Sequence, residues 1–235
     1  DGNSIDGTGL DGVRAGANNK STIKNNKIGQ SGVAGNIQGN GIIVDAGRNT
    51  TVDNNKVGNT VLDGIHVVAT NGAKVMNNDV AITGGEGIEF LNAVGTLEIS
   101  ANNIDDTESH GILVGNSANT QVLSNLIGLD GGALNINGDG IQILQSNGVQ
   151  VKKNKIANTT QTAPNIGSGV HSISSNNVVI EDNKTDNTGW DGVRVNFGDN
   201  VLVKINDIDN AFRTGVYLGQ TTNSSAIGND IDKVG

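Results

Sequence analysis

Three features of the sequence predict an all-β fold, a single-stranded right-handed parallel β-helix of nine coils with three strands per coil. They are a glycine-marked repeat of 23–29 residues, an asparagine recurring once per repeat, and a thin aliphatic composition. The glycines are Gly12, Gly41, Gly64, Gly87, Gly111, Gly140, Gly169, Gly192 and Gly215, at intervals of 29, 23, 23, 24, 29, 29, 23 and 23 residues. Each is followed by Val13, Ile42, Ile65, Ile88, Ile112, Ile141, Val170, Val193 or Val216. Two residues further on stand Ala15, Val44, Val67, Phe90, Val114, Ile143, Ser172, Val195 and Leu218. Alternation with period two marks a short strand with one buried face.

A second motif, apolar-x-x-Asn-x-apolar, follows 11 or 12 residues after each glycine. Its first apolar column begins Ile23, Val52 and Val75, and its last begins Ile28, Val57 and Val80. Between them lie Asn26, Asn55, Asn78, Asn102, Asn125, Asn154, Asn183, Asn206 and Asn229. A tight corner between strands forces left-handed backbone angles, which asparagine tolerates. Stacked at the inter-strand spacing of ~4.8 Å, the amides can bond to the coils above and below, forming a ladder that satisfies otherwise buried polar groups. Length variation is confined to one corner, where the longer loops are residues 29–40, 128–139 and 157–168. Loops at that corner could wall a groove beside the first strand.

Composition agrees. Aromatic residues are 2% of the chain and hydrophobic ones 34%, mostly Ile, Val and Ala, which suits narrow strand-lined cores. The net charge of -9 argues against nucleic acid as a partner. No run approaches the ~18 apolar residues of a membrane span. There is no cysteine, which is compatible with an extracellular location without disulfides. Residues 1–235 read as one solenoid, and its uncapped pattern suggests a segment of a longer chain or filament whose ends meet further coils or like subunits.

The outward position two after each glycine reads Arg14, Ile43, His66, Glu89, Leu113, Gln142, His171, Arg194 and Tyr217. The position before each glycine reads Asp11, Asn40, Asp63, Glu86, His110, Asp139, Ser168, Asp191 and Thr214. The richest stretch is in coils six to nine. If the protein is an enzyme, its catalytic candidates are His171, Arg194, Tyr217, Asp191 and Asp139. Arginine would neutralise a sugar carboxylate while His171 or Tyr217 moves the proton on C5. Trp190, Tyr217 and Arg194 are the substrate-binding candidates, in a region that also holds Phe197 and Phe212. The bland reading pairs Arg194 with Asp191 on an ordinary polar strand face. No cofactor is implied beyond Ca²⁺, for which Asp63, Glu86, Asp105 and Asp106 are the candidate ligands.

The Gly-[Ile/Val] strand, the Asn corner and the loop texts Gly35-Asn36-Ile37-Gln38-Gly39-Asn40 and Leu134-Asn135-Ile136-Asn137-Gly138-Asp139 resemble right-handed parallel β-helix repeat proteins. These include pectate-lyase-like enzymes, mannuronan epimerases and large secreted bacterial surface proteins. Enzyme signatures of such families match poorly. The Asp-Pro-His motif of alginate epimerases is absent, and of the polygalacturonase motifs only Asp105-Asp106 and Ser109-His110-Gly111 have counterparts. The resemblance in repeat text therefore implies an extracellular structural or adhesive segment of a bacterial surface protein, with a polysaccharide or cell-surface glycan as partner. The alternative is a polysaccharide lyase or C5-epimerase acting on acidic polysaccharide in a groove over the first strands of coils six to nine.

Overall fold

The computed structural model describes residues 1–30, 36–129, 136–160 and 167–235. Among these residues the secondary structure is 28 short strands in three parallel sheets of nine, nine and ten. The first sheet runs from Val13–Gly16 to Thr214–Gly219 and carries the glycine motif. The second runs from Thr22–Lys24 to Ser225–Ile227, and the third from Ser4–Ile5 to Asp230–Asp232. The chain visits the sheets in turn, so each strand pairs with its counterparts one coil before and after. Register holds column by column: Ile88, Ile112, Ile141, Val170 and Val193 are successive partners in the first sheet.

These columns fill one continuous interior, in which Ile42, Ile65, Ile99, Ile127 and Val151 are wholly buried and Phe90 is the largest side chain. The glycine column exists because of close approach. A Cβ on Gly111 would stand 2.6 Å from Ile127 Cγ2 and 2.7 Å from the carbonyl oxygen of Gly140 in the next coil. Backbone on one side and a core aliphatic on the other leave no room for alanine.

The asparagine ladder is built as expected, with one correction. Asn78 and Asn102 are directly bonded: the Asn78 N–H and Nδ2 donate to Asn102 Oδ1 at 2.9 and 3.0 Å. Left-handed angles, however, fall on the residue before the ladder asparagine: Asn25, Asn54, Asn77, Ala101, Ser124, Lys153, Asp182 and Ile205 all have φ between 53° and 60°. The ladder residue must instead keep its N–H and side chain aimed along the axis, so the turn is made one step earlier.

Coil seven departs from the aliphatic pattern. Thr185 stands between Ile156 and Ile208 in a wholly buried column, and its hydroxyl has no hydrogen-bond partner. Replacing it with the isosteric Val removes an unpaired buried polar group. Thr185→Val is expected to raise stability by about 1 kcal/mol, read as a higher urea midpoint at unchanged slope. A lower midpoint would contradict the structure.

Candidate functional site

Strand pleating puts the residue two after each glycine on the outer face, and the nine positions form one stacked column from Arg14 to Tyr217. The pre-glycine position behaves differently. At Asp11, Asn40, Asp63, His110 and Asp139 the side chain reaches forward to accept a backbone N–H of the following coil, making a second ladder. Asp11 Oδ1 accepts from Asn40, Asn40 Oδ1 from Asp63, and Asp63 Oδ1 from Glu86, at 2.9, 3.1 and 2.9 Å. His110 Nδ1 accepts from Asp139 at 2.9 Å, and Asp139 Oδ1 from Ser168 at 2.7 Å. In the asparagine ladder the side chain of the later coil accepts from the earlier one, so the two ladders run in opposite directions.

Over coils five to eight lies a cleft of about 510 Å³, whose lining includes Glu108, His110, Asp139, His171, Trp190 and Arg194. Asp139 is buried beneath it. His171 Nδ1 lies 3.1 Å from Asp139 Oδ2, and Gln142 Nε2 donates to the same oxygen at 2.9 Å. Burial pushes the Asp139 carboxyl up, but the hydrogen bond and charge of His171 and the Ser168 N–H outweigh this and hold it below the usual carboxylate range.

Arg194 is fixed by a second buried carboxylate. Its Nη1 donates to Asp191 Oδ2 at 2.9 Å, and Asp191 is 0% exposed. Arg213, absent from the sequence-derived candidates, grips Asp191 from the other side through Nε and Nη2 at 3.1 and 3.0 Å. Its guanidinium lies 4.5 Å from the Trp190 ring centre and 5.1 Å from that of Tyr217, and Arg194 lies 4.8 Å from Tyr217.

Asn196, also missed in the sequence, joins the two halves. Its Oδ1 accepts from Arg194 Nε at 2.7 Å and lies 3.1 Å from His171 Nε2. Arginine only donates, so this atom is the amide oxygen and His171 must donate to it as well. His171 thus presents a proton on both nitrogens, one to Asp139 and one to Asn196.

All five catalytic candidates therefore fall in one connected network, with Arg194 paired to Asp191 as the bland reading held. Trp190 and Arg194 line the cleft, whereas Tyr217, in contact with the guanidiniums of Arg194 and Arg213, is outside its lining. Phe197 and Phe212, 57% and 60% exposed, lie outside the lining too. Of the loops expected to wall a groove, residues 31–35, 130–135 and 161–166 lie outside the described residues. Asn137 and Gly138, at the end of the second, do line the cleft.

The proposed calcium ligands do not assemble. Asp105 and Asp106 sit in Asn103–Thr107 of the third sheet, past the corner from the column that holds Asp63 and Glu86. What converges instead is Asp63, His66 and Glu89, whose ligand-type atoms lie within 4.8 Å of one another. His66 Nδ1 is 2.9 Å from Asp63 Oδ2 and 2.5 Å from Glu89 Oε2. Burial lowers the His66 pKa, but the two carboxylates more than reverse this and raise it to about 9. An imidazolium held by two carboxylates accounts for the arrangement. Glu86 beside it is pushed up by burial and by Asp63.

Among the described residues no helix is long and apolar enough to cross a membrane. No curated protein matches the chain in sequence. Solved structures do match in fold. The A-module of mannuronan C-5 epimerase AlgE6 from Azotobacter vinelandii superposes with a TM-score of 0.75 at 19% identity, covering 90% of this chain and 58% of that one. The alginate lyase of Paenibacillus sp. str. FPU-7 gives 0.70 at 18% identity, covering 96% and 89%. The periplasmic alginate epimerase AlgG gives 0.60 at 15%, covering 92% and 61%. The chain thus spans less than two thirds of the two epimerase chains, and at these identities the likeness is one of fold. Residues 1–127 and 133–235 match the family described as the right handed beta helix region, and the chain belongs to that family.

Proposed function

We propose that the cleft binds an acidic polysaccharide through a sugar carboxylate and acts on it as a lyase or C5-epimerase. The observation that carries this reading is the convergence of His171 Nε2 and Arg194 Nε on one neutral oxygen, Asn196 Oδ1. Each donor is backed by its own buried carboxylate, Asp139 or Asp191. Asn196 Oδ1 occupies this position, and a substrate carboxylate that displaces it is held better than the amide, because both hydrogen bonds become charge-assisted on both sides. Solved structures of similar fold include enzymes named for alginate, an acidic polysaccharide. An extracellular or cell-surface location goes with such a substrate.

Neutralising a uronate carboxylate acidifies the adjacent C5–H, which is the step that elimination and epimerisation share. With His171 and Arg194 on the carboxylate, Tyr217 is the remaining proton-carrying group beside Arg194 and moves the C5 proton. A second reading, glycan binding without turnover, is favoured by one observation: Tyr217 lies outside the cleft lining. The structural or adhesive role rests on the repeat text.

Incubation with alginate, pectate and related polymers, followed at 235 nm and by uronate NMR, tests the proposal. Tyr217→Phe is expected to lower kcat about a hundredfold with KM little changed, and Arg194→Ala to raise KM. Binding in the cleft with no turnover selects the second reading. Absence of both turnover and binding rejects the site altogether.

A further inference from the structure

The two ends of the cleft differ in chemistry, and the difference originates at His110. The N–H of Asp139 donates to His110 Nδ1, so that nitrogen must offer a lone pair and the ring proton must be on Nε2. The 3.7 Å approach of the same Nδ1 to Asp139 Oδ2 is then a packing contact and not an ion pair. His110 is a neutral ring presenting one N–H donor at the cleft wall. Around it the lining residues are Glu108, Ser109, Asn137 and Gly138, with no cation among the described residues. Glu108 Oε2 accepts from Asn137 Nδ2 at 2.8 Å, and Ser109 Oγ donates to Glu86 Oε1 at 2.9 Å. Glu108 is thus the carboxylate that borders this end. The cationic pair lies at the other end, with His171 two rungs from His110 and Arg194 three, roughly 10 and 14 Å at ~4.8 Å per rung. That spans more than one pyranose ring, so a polymer lying along the axis and seated on the pair places the sugar two or three positions further on against His110.

Resting on the carboxylate-binding reading above, we infer that the His110 end takes a neutral sugar. Its hydroxyls accept from His110 Nε2 and donate to Glu108, whereas a second uronate would set its carboxylate against Glu108. The substrate class is then a heteropolysaccharide in which single acidic residues alternate with runs of two or more neutral ones, in preference to a homopolymer of uronates.

The test compares tetrasaccharides alternating one glucuronate with a run of three neutral hexoses against tetramers of mannuronate, guluronate and galacturonate, by calorimetric titration of the wild-type protein. The alternating oligomers are expected to bind at least about tenfold more tightly, the penalty of one like-charge contact. Glu108→Gln should narrow the gap by improving the homouronates alone. His110→Asn should weaken only the alternating oligomers, because Asn40 already makes the same ladder bond in this column and asparagine is too short to replace Nε2–H. Nitrogen-15 NMR of the free protein should show the His110 proton on Nε2. Homouronates binding as tightly as alternating oligomers, in an Arg194-dependent manner, would overturn this inference and leave the carboxylate site standing. A proton on Nδ1 would overturn it independently. If neither class binds, both proposals fail together.

Discussion

Asn125→Leu is expected to destabilise the protein by about 4 kcal/mol, although the two side chains are close in volume. Asn125 is 0% exposed, and its Oδ1 accepts both the N–H and the Nδ2 of Asn102 at 3.0 Å. Its Nδ2 donates to Ile99 O and Asn154 Oδ1. Leucine would leave the Asn102 N–H and its amide buried without that acceptor, and the Ile99 carbonyl without that donor. Each such orphan costs about 1–3 kcal/mol, more than a made bond contributes. Asn229 is the internal control. It accepts from Asn206 but is half-buried, so Asn229→Leu should cost less than half as much because water can replace the lost partner. Urea unfolding of both variants checks this. Equal losses would mean that the ladder acts by packing and not by hydrogen bonding.

Alkali should weaken the fold through His66. Its pKa is raised from 6.5 to about 9, so the ring binds its proton more tightly folded than unfolded. The stabilisation is fully present below pH 6.5 and is lost as pH rises through about 9. The difference corresponds to about 3 kcal/mol. With side chains only 12–17% exposed, His66, Asp63 and Glu89 are little screened by solvent. Glu86, also raised, acts in the same sense at lower pH, since its folded form holds a proton that the unfolded chain has already lost. Unfolding free energy measured from pH 6 to 10 should fall, and His66→Gln should flatten the fall. An NMR titration of His66 centred near 6.5 would contradict the geometry.

Much of this architecture was legible because a stacked repeat turns sequence spacing into spatial contact. The glycine and asparagine columns gave the coil count, the three strands and the outward face that carries His171, Arg194 and Tyr217. The same arithmetic could have found Arg213, which lies 23 residues, one coil, after Trp190 and stacks on its ring. It was overlooked because it sits two residues before Gly215, off the columns that alternation picks out. The calcium candidates show the opposite effect. Asp105 and Asp106 follow Glu86 by 19 and 20 residues, and after two intervening strands they lie in the third sheet, across a corner from Glu86. Spacing also does not reveal direction. That His110 receives an amide, and Asn196 two side-chain donors, depends on which lone pair faces which proton.

The opposed sense of the two ladders constrains how such a molecule can change length. From Asp11 to Glu86 and from His110 to Ser168 the turns are held by an acceptor reaching forward at one corner and another reaching back at the other, so there neither sliding nor inverting a turn preserves both. Growth or shortening must proceed by whole circuits, with surplus residues extruded where neither ladder runs. The 29-residue turns carry their extra residues ahead of the next glycine, and the 24-residue turn takes its single one at the register shift between Val94 and Leu97.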